Sequence, residues 1–597
     1  MHRARHWCVQ QFFRSNPSQL LVLLGLLLGL YVVTMPGGVL AQTHFPSVSP
    51  AEQPARPTLT PPSFLPIDSS GSKTPYKLPP IGQVLPPSSQ DRIVVERVNF
   101  EGNTVFSDEE LEQVVDSFIG QAIDSVQGLE SMRIEVTKYY IDAGYINSGA
   151  LIKNMNDGPS GNKVIDMRIV EGRLTDIQVS GLGRLTDSYV INKIWPDESE
   201  VLDIDKLRAN FQYLLLDPLF DKVHSRLLPS DKRGDARLEL EVKRSRPWDA
   251  YVAMDNYRSP AAGEYQLQAG GTVHNLTSLG DSLSLSSSRP VDGEKTYSAV
   301  VNWRVPLPVK YGTVMNASYK IGKTTITEEP FDEFIFSNDS SDWSVAVLQP
   351  LVQSLEHDLS VDFGYRQRES QNYIDGNKYT LTLGEREGFT KNKAAIVGVS
   401  HTHRKRNYSF STRLTYTRGE HNHEIAPAFI GILTKRNSPY SIYLLEGLLD
   451  YRLGSTNMIL ELRSSWQYSN DYLLGMDRFS VTSSSGVRGY IENSNNFDTG
   501  SVNKIELYIP LPRLADNLTM SVTPFGDYGF GQNNVASYDD SADARRRTFK
   551  SAGVQLEANL YGVSMTLTYA RALENEDRIE EGHLQSKGLS FALHYRF

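Results

Sequence analysis

The sequence predicts a membrane β-barrel of about sixteen antiparallel strands, preceded by two small α+β modules. Three observations predict it. From Trp248 onward, stretches of about ten residues alternate apolar and polar positions, sixteen in all, from near 250–258 to near 587–596. The connections alternate in length: Asn275 to Gly280, Pro306 to Tyr311 and Arg404 to Asn407 are short and those between them long, the asymmetry of barrels with short turns on one membrane face and long loops on the other. The last strand places Leu589, Phe591, Leu593, Tyr595 and Phe597 on one face, a lipid-facing stripe that argues against a soluble β-propeller. No run of 18 apolar residues follows residue 41, so any membrane span there is built from strands.

Residues 1–41 read as a signal peptide. Arg3, Arg5 and Arg14 form a basic start, Leu20 to Val33 an apolar stretch, and Val39-Leu40-Ala41 a small-residue cleavage site. Fourteen apolar residues make a helix of about 21 Å, short of a ~30 Å hydrocarbon core, which disfavours an uncleaved anchor. The single cysteine, Cys8, lies within this segment, so the mature chain relies on no disulfide. The chain carries a net charge of −10, and cleavage removes three further basic residues. That balance excludes nucleic acid as the expected partner.

Residues 42–91 are a proline-rich linker, with 12 prolines between positions 42 and 90. Such a segment is extended and builds no core. From Ile93 to Phe100 a strand is expected, then a turn at Glu101-Gly102-Asn103-Thr104 and a helix capped by Ser107 with Glu110 three residues on. A second helix runs from Val126 to Ile141 and stops at Gly144; strands near Leu151 and from Val164 to Val170 complete a module over 92–172. The pattern recurs over 173–246: a strand at Ile177–Gly181, helices near Asp187–Ile194 and Ile204–Leu215, and a closing strand at Leu238–Val242. The barrel takes the remaining 247–597.

One constellation carries chemistry. Arg488 falls in the long external connection 469–499, with Gly486 and Gly489 beside it. Asp527 sits on a strand with Phe525 and Gly529 two positions either side, all on one face. If that face is the lumen, the loop folds in and Arg488 pairs with Asp527. Breaking a desolvated pair costs ~3–5 kcal/mol although the intact pair adds little net stability, so such a pair acts as a latch.

Val487-Arg488-Gly489-Tyr490, Phe525-x-Asp527-x-Gly529, Val98-Asn99-Phe100-Glu101-Gly102-Asn103-Thr104 and Tyr140-Ile141-Asp142-Ala143-Gly144-Tyr145 together resemble the two-partner secretion transporters. These form the haemolysin-activator and filamentous-haemagglutinin-transporter group (ShlB/FhaC/HecB type), in a superfamily that includes the BAM insertase. The resemblance covers residues 92–597. It implies a type V secretion pore in the outer membrane of a Gram-negative-type bacterium, with two periplasmic polypeptide-transport-associated (POTRA) domains. It also implies that Arg488 and Asp527 meet in the lumen, supported by Val487, Gly489, Tyr490, Phe525 and Gly529. The implied partners are one large secreted β-helical exoprotein, outer-membrane lipid, and the BAM machinery for the barrel's own assembly, with Phe597 and Tyr595 as assembly signal. Many relatives of this type begin with a plug helix, whereas 42–90 has no helical periodicity.

The modules have a physical use of their own, since an exposed sheet edge can add an unfolded peptide as an extra strand. An insertase of the same superfamily and a passive porin are the rival readings. No enzyme, cofactor or metal is expected. Gly322-Lys323-Thr324 ends a strand and lacks the upstream glycine of a phosphate loop, position 317 being Ala. The pairs His401/His403 and His421/His423 fall at opposite ends of a strand of roughly 34 Å and cannot share an ion.

Overall fold

The computed structural model describes residues 91–597 apart from 196, 292–294, 310–311, 327–334, 381–386, 423–438, 455, 472, 514, 516, 535–545 and 575–581. The expected signal peptide and all but the last residue of the linker lie outside the described residues, as does His423.

The first module gathers its 101–104 turn and a helix end around one carboxylate. β1 (Arg92–Glu101) leads through the predicted turn to α1 (Asp108–Val115), whose Ser107 and Glu110 form a reciprocal capping box. β2 (Ala122–Asp124), α2 (Gln127–Asp142), β3 (Gly149–Asp157) and β4 (Lys163–Val170) follow, in a sheet ordered β2-β1-β4-β3. The Glu171 carboxylate, just past β4, accepts from the backbone N–H of Thr104 (2.7 Å) and Val105 (2.8 Å) and from the Tyr140 hydroxyl (3.1 Å). Burial, then the charge of Glu171, pushes the Tyr140 hydroxyl well above the ordinary phenol range, so it remains a donor. α2 ends where Gly144 takes φ +97°, a conformation that glycine adopts without strain.

The second module contains β5 (Leu174–Ser180), α3 (Asp187–Ile194), α4 (Ile204–Leu214), β6 (Phe220–Pro229) and β7 (Ala236–Arg244), in the order β5-β7-β6. Its core runs from Leu174 through Ile194 and Trp195 to Val242. The two modules touch through backbone: Leu202 N–H donates to Gly172 O (2.8 Å) and Ile204 N–H to Gly144 O (3.0 Å). Two strands escape the sequence reading. β2 has only three residues, and β6 carries a register shift between Phe220 and Lys222. That shift sets its buried Phe220 and Val223 three apart and hides the two-residue alternation.

The barrel begins at β8 (Trp248–Asp255) and continues through β9 (Gln266–His274), β10 (Ser282–Pro290), β11 (Tyr297–Pro306) and β12 (Val314–Ile326). β13 (Phe336–Gln353), β14 (His357–Ile374), the two-residue β15 (Asn377–Lys378), β16 (Phe389–Arg404), β17 (Tyr408–His421), β18 (Pro439–Arg452) and β19 (Ile459–Tyr468) come next. A long connection carries β20 (Phe479–Ser480) and β21 (Asn496–Phe497) before β22 (Thr499–Pro510), β23 (Leu518–Gln532), β24 (Arg546–Leu560), β25 (Val563–Ala572) and β26 (Leu589–Arg596). With β15 as an extension of β14 and β20–β21 a separate ribbon, sixteen strands close into one antiparallel barrel. Leu285, Tyr319, Phe363, Leu414, Tyr443, Ile505 and Leu593 stand exposed around it, the apolar outer band that lipid requires. No described helix is long and apolar enough to cross a membrane.

Closure is made by β26 on β8, from Ala592 opposite Asp255 to Arg596 opposite Tyr251. Asn256 lengthens that seam: its Nδ2 donates to Leu589 O (3.1 Å) and its Oδ1 accepts from Phe591 N–H (2.8 Å). At the other end Phe597 N–H donates to Ala250 O (2.9 Å), and the rings of Tyr595 and Phe597 meet edge-on at 4.8 Å. The second module sits against the turn joining β9 and β10. There Thr186 N–H donates to Ser278 O (3.0 Å) and Arg184 to Leu276 O (3.1 Å).

Candidate functional site

The connection between β19 and β22 does not project outward. It folds inside the barrel, burying Leu473, Phe479, Val481, Val487 and Phe497. Phe479, Val481, Val487 and Phe497 pack on Val502 of β22 and Phe549 of β24. The barrel wall is shaped to admit them. A Cβ placed on Gly531 of β23 would lie 2.0 Å from the Phe497 ring, and one on Gly529 would lie 2.6 Å from Val487. Gly489 supplies the matching feature on the loop: it takes φ +85°, and a Cβ there would meet Ala570 O of β25 at 2.9 Å.

The loop's tip presents Arg488 to β23. Its Nε and Nη2 donate to the two oxygens of Asp527 at 2.8 and 2.7 Å, a bidentate pair, and its backbone N–H adds a third bond at 3.1 Å. Both residues are buried, at 7% and 4% exposure. The Phe525 ring lies beneath the guanidinium, 3.3 Å from centroid to Cζ, a contact that desolvation strengthens. Tyr490 reaches further round the wall: its hydroxyl contacts the carbonyls of Lys550 and Glu574, and its ring meets Phe549 edge-on at 5.4 Å. The structure thus brings Val487, Arg488, Gly489, Tyr490, Phe525, Asp527 and Gly529 into one contact region and places Tyr595 and Phe597 away from it, at the barrel seam.

Three parts of this site were not legible in the sequence. On β22, Glu506 lies 2.8 Å from Arg488 Nη2 and Lys504 lies 3.4 Å from Glu506. The four side chains form a neutral tetrad rather than a lone pair. The only available signal was the alternation that puts Lys504 and Glu506 on one face.

A second anchor holds the loop's other end. Asp477 lies 3.2 Å from Arg366 and 3.1 Å from Arg368, both on β14, and also accepts from Asn392 of β16. Arg368 also binds the Met476 carbonyl and pairs with Asp342 of β13 at 2.9 Å. β13, β14 and β16 are the sixth to eighth strands of the barrel and β23 the thirteenth. The two anchors therefore stand on nearly opposite walls, and the loop spans the lumen between them.

A third contact ties the loop to the closing seam. Glu492 N–H donates to Gln585 Oε1 (3.0 Å), while Gln585 Nε2 donates to the carbonyls of Asn256 and Arg258 (2.6 Å each).

A closed sixteen-stranded barrel with an apolar exterior, two α+β modules at one mouth and a loop spanning its lumen defines an outer-membrane β-barrel transporter. A family model for haemolysin secretion/activation proteins (ShlB/FhaC/HecB) matches residues 234–558, and a ShlB-type POTRA model matches residues 93–172. The chain belongs to the ShlB/FhaC/HecB family of haemolysin secretion/activation proteins.

It is similar to the heme/hemopexin transporter protein HuxB of Haemophilus influenzae, 21% identical over 489 residues, covering 78% of this chain and 81% of HuxB. It is also similar to the hemolysin transporter protein ShlB of Serratia marcescens, 22% identical over 443 residues, covering 70% of this chain and 72% of ShlB. The fold matches that of CdiB from Escherichia coli with a TM-score of 0.66 at 20% identity, over 86% of this chain and 93% of CdiB.

Proposed function

We propose that this chain exports a single large exoprotein, received unfolded by the two periplasmic modules and threaded through the barrel to the cell surface or medium. The observation that carries the reading is the loop itself. A lumen spanned by a segment anchored at Arg488–Asp527 and again at Asp477 suits a conduit that opens for a particular client, and a diffusion pore has no need of it. In this reading the buried Arg488–Asp527 pair fixes where the loop rests, because an uncompensated charge at either position is costly whereas the pair itself is nearly neutral to stability.

The modules supply client capture. β3 ends the first sheet, and β5 and β6 end the second; such edges hold an extended peptide by backbone bonding with little demand on its sequence. Folding of the β-helical client outside provides direction, and no catalytic step is required. Tyr595 and Phe597, exposed on the last strand, serve recognition by the BAM machinery during the barrel's own assembly.

The test is quantitative proteomics of culture medium and outer membrane with and without the protein. One large protein lost from the medium, with other outer-membrane barrels unchanged, supports the dedicated exporter. A general fall in barrel proteins would replace this reading with an insertase.

A further inference from the structure

The sequence expectation of no metal site weighed only the two His-x-His pairs. The fold adds a histidine from elsewhere. His357, the first residue of β14, is paired in register with His403 of β16, and their rings stack at 4.2 Å between centroids. Both share a face with Leu359, Phe363, Val397 and Val399, of which the last three are strongly exposed. That is the lipid-facing side, at the periplasmic rim where the 354–356 and 405–407 turns lie. Glu356, next to His357 in the turn, completes the group: one ligand atom from each of Glu356, His357 and His403 lies within 4.8 Å of the others.

We propose that Glu356, His357 and His403 form a binding site for a divalent transition cation of the zinc class on the periplasmic rim. Two imidazoles and one carboxylate are a donor set that zinc takes, with the fourth position left to solvent. The Nε2 atom of His403 is buried and has no hydrogen-bond partner; in the neutral imidazole its lone pair is a donor to a cation. Glu356 gives one oxygen to Lys405 and keeps the other available. A tetrahedral ion with bonds near 2.0–2.1 Å sets its ligand atoms about 3.4 Å apart. Rotamer shifts of about an ångström in surface side chains therefore close the site.

The lumen side of the same two strand ends carries the Arg404–Asp358 pair at 2.6 Å. A bound ion would clamp the two turns together and stiffen the rim on which the second module rests.

The test is a titration of the purified full chain, affinity tag removed, with Co²⁺ as spectroscopic probe, followed by Zn²⁺ displacement. The expected result is one equivalent of Co²⁺ with the visible bands of a four-coordinate ion, displaced by one equivalent of Zn²⁺. The H357A/H403A double variant should lose that equivalent. Glu356→Gln should weaken binding by more than about tenfold, the lower end of what even an outer-sphere partner costs. Gel mobility with and without heating confirms that each variant is a closed barrel. Absence of a stoichiometric equivalent in the parent protein, or equal binding by the folded double variant, overturns the proposal.

Discussion

Gly529 of β23 is the vacancy that Val487 fills. A Cβ at Gly529 would stand 2.6 Å from Val487 Cγ2 and 2.5 Å from Val481 Cγ1, so the wall and the loop are cut to each other two residues from Asp527. Gly529→Val should therefore expel the loop tip while leaving the barrel closed, because overpacking of this kind costs about 1–3 kcal/mol. In planar bilayers the variant should spend more time open than the parent protein; unchanged conductance would mean that the loop accommodates the methyl groups in place.

Arg488 and Asp527 should not be equivalent. Removing Arg488 leaves Asp527 and Glu506 facing each other with only Lys504 to offset them, and a stranded buried charge costs about 3–5 kcal/mol. Asp527→Ala leaves Arg488 its bond to Glu506, and a hydrogen bond to a charged group contributes about 1.5–3 kcal/mol. Arg488→Ala should therefore lower the midpoint of thermal unfolding and the secretion rate more than Asp527→Ala does. The charge swap R488D/D527R should not restore export, since the guanidinium would leave both Phe525 and Glu506. Full rescue by the swap would reduce the site to simple attraction.

Asp477→Ala should free the opposite end of the loop, leaving Arg366 without its carboxylate and Arg368 with Asp342 alone. We expect larger open-state current and a shift towards anion selectivity, with Arg488–Asp527 still formed. Combined with Arg488→Ala, the effect on open probability should exceed the sum of the two singles, because a segment held at both ends leaves only when both are broken. A strictly additive result would assign the two ends separate roles.

Deleting Phe597 removes the last seam hydrogen bond, to Ala250 O, together with the edge contact on Tyr595. The amount of protein reaching the outer membrane should fall several-fold, while the protein that does assemble exports normally. Normal outer-membrane levels would remove Phe597 from any assembly role.

Much of this was readable from residues alone, for identifiable reasons. Arg488 and Asp527 stand out because each sits beside glycines that have no other use, and because strand parity fixes which connection is external. Ser107 and Glu110 announce their helix by a three-residue spacing that acts locally. Asp477 and Arg368 could not be found in this way: they lie on different elements 109 positions apart, and nothing near Asp477 separates it from an ordinary loop carboxylate. His357 was invisible for the same reason, since its partner is chosen by strand register. β6 failed on a different ground, its bulge having broken the alternation by which strands are recognised.

A loop that spans the lumen makes the chain its own competitor for the space the client needs. The client engages only the fraction of molecules in which that space is free, and its apparent dissociation constant is the intrinsic one divided by that fraction. Each contact that holds the loop, from the Arg488 tetrad to Asp477, thus raises the concentration of client required. Selectivity follows without any dedicated recognition surface in the pore: a polypeptide already concentrated at the mouth by the two modules can displace the loop, and one that arrives from bulk solution cannot.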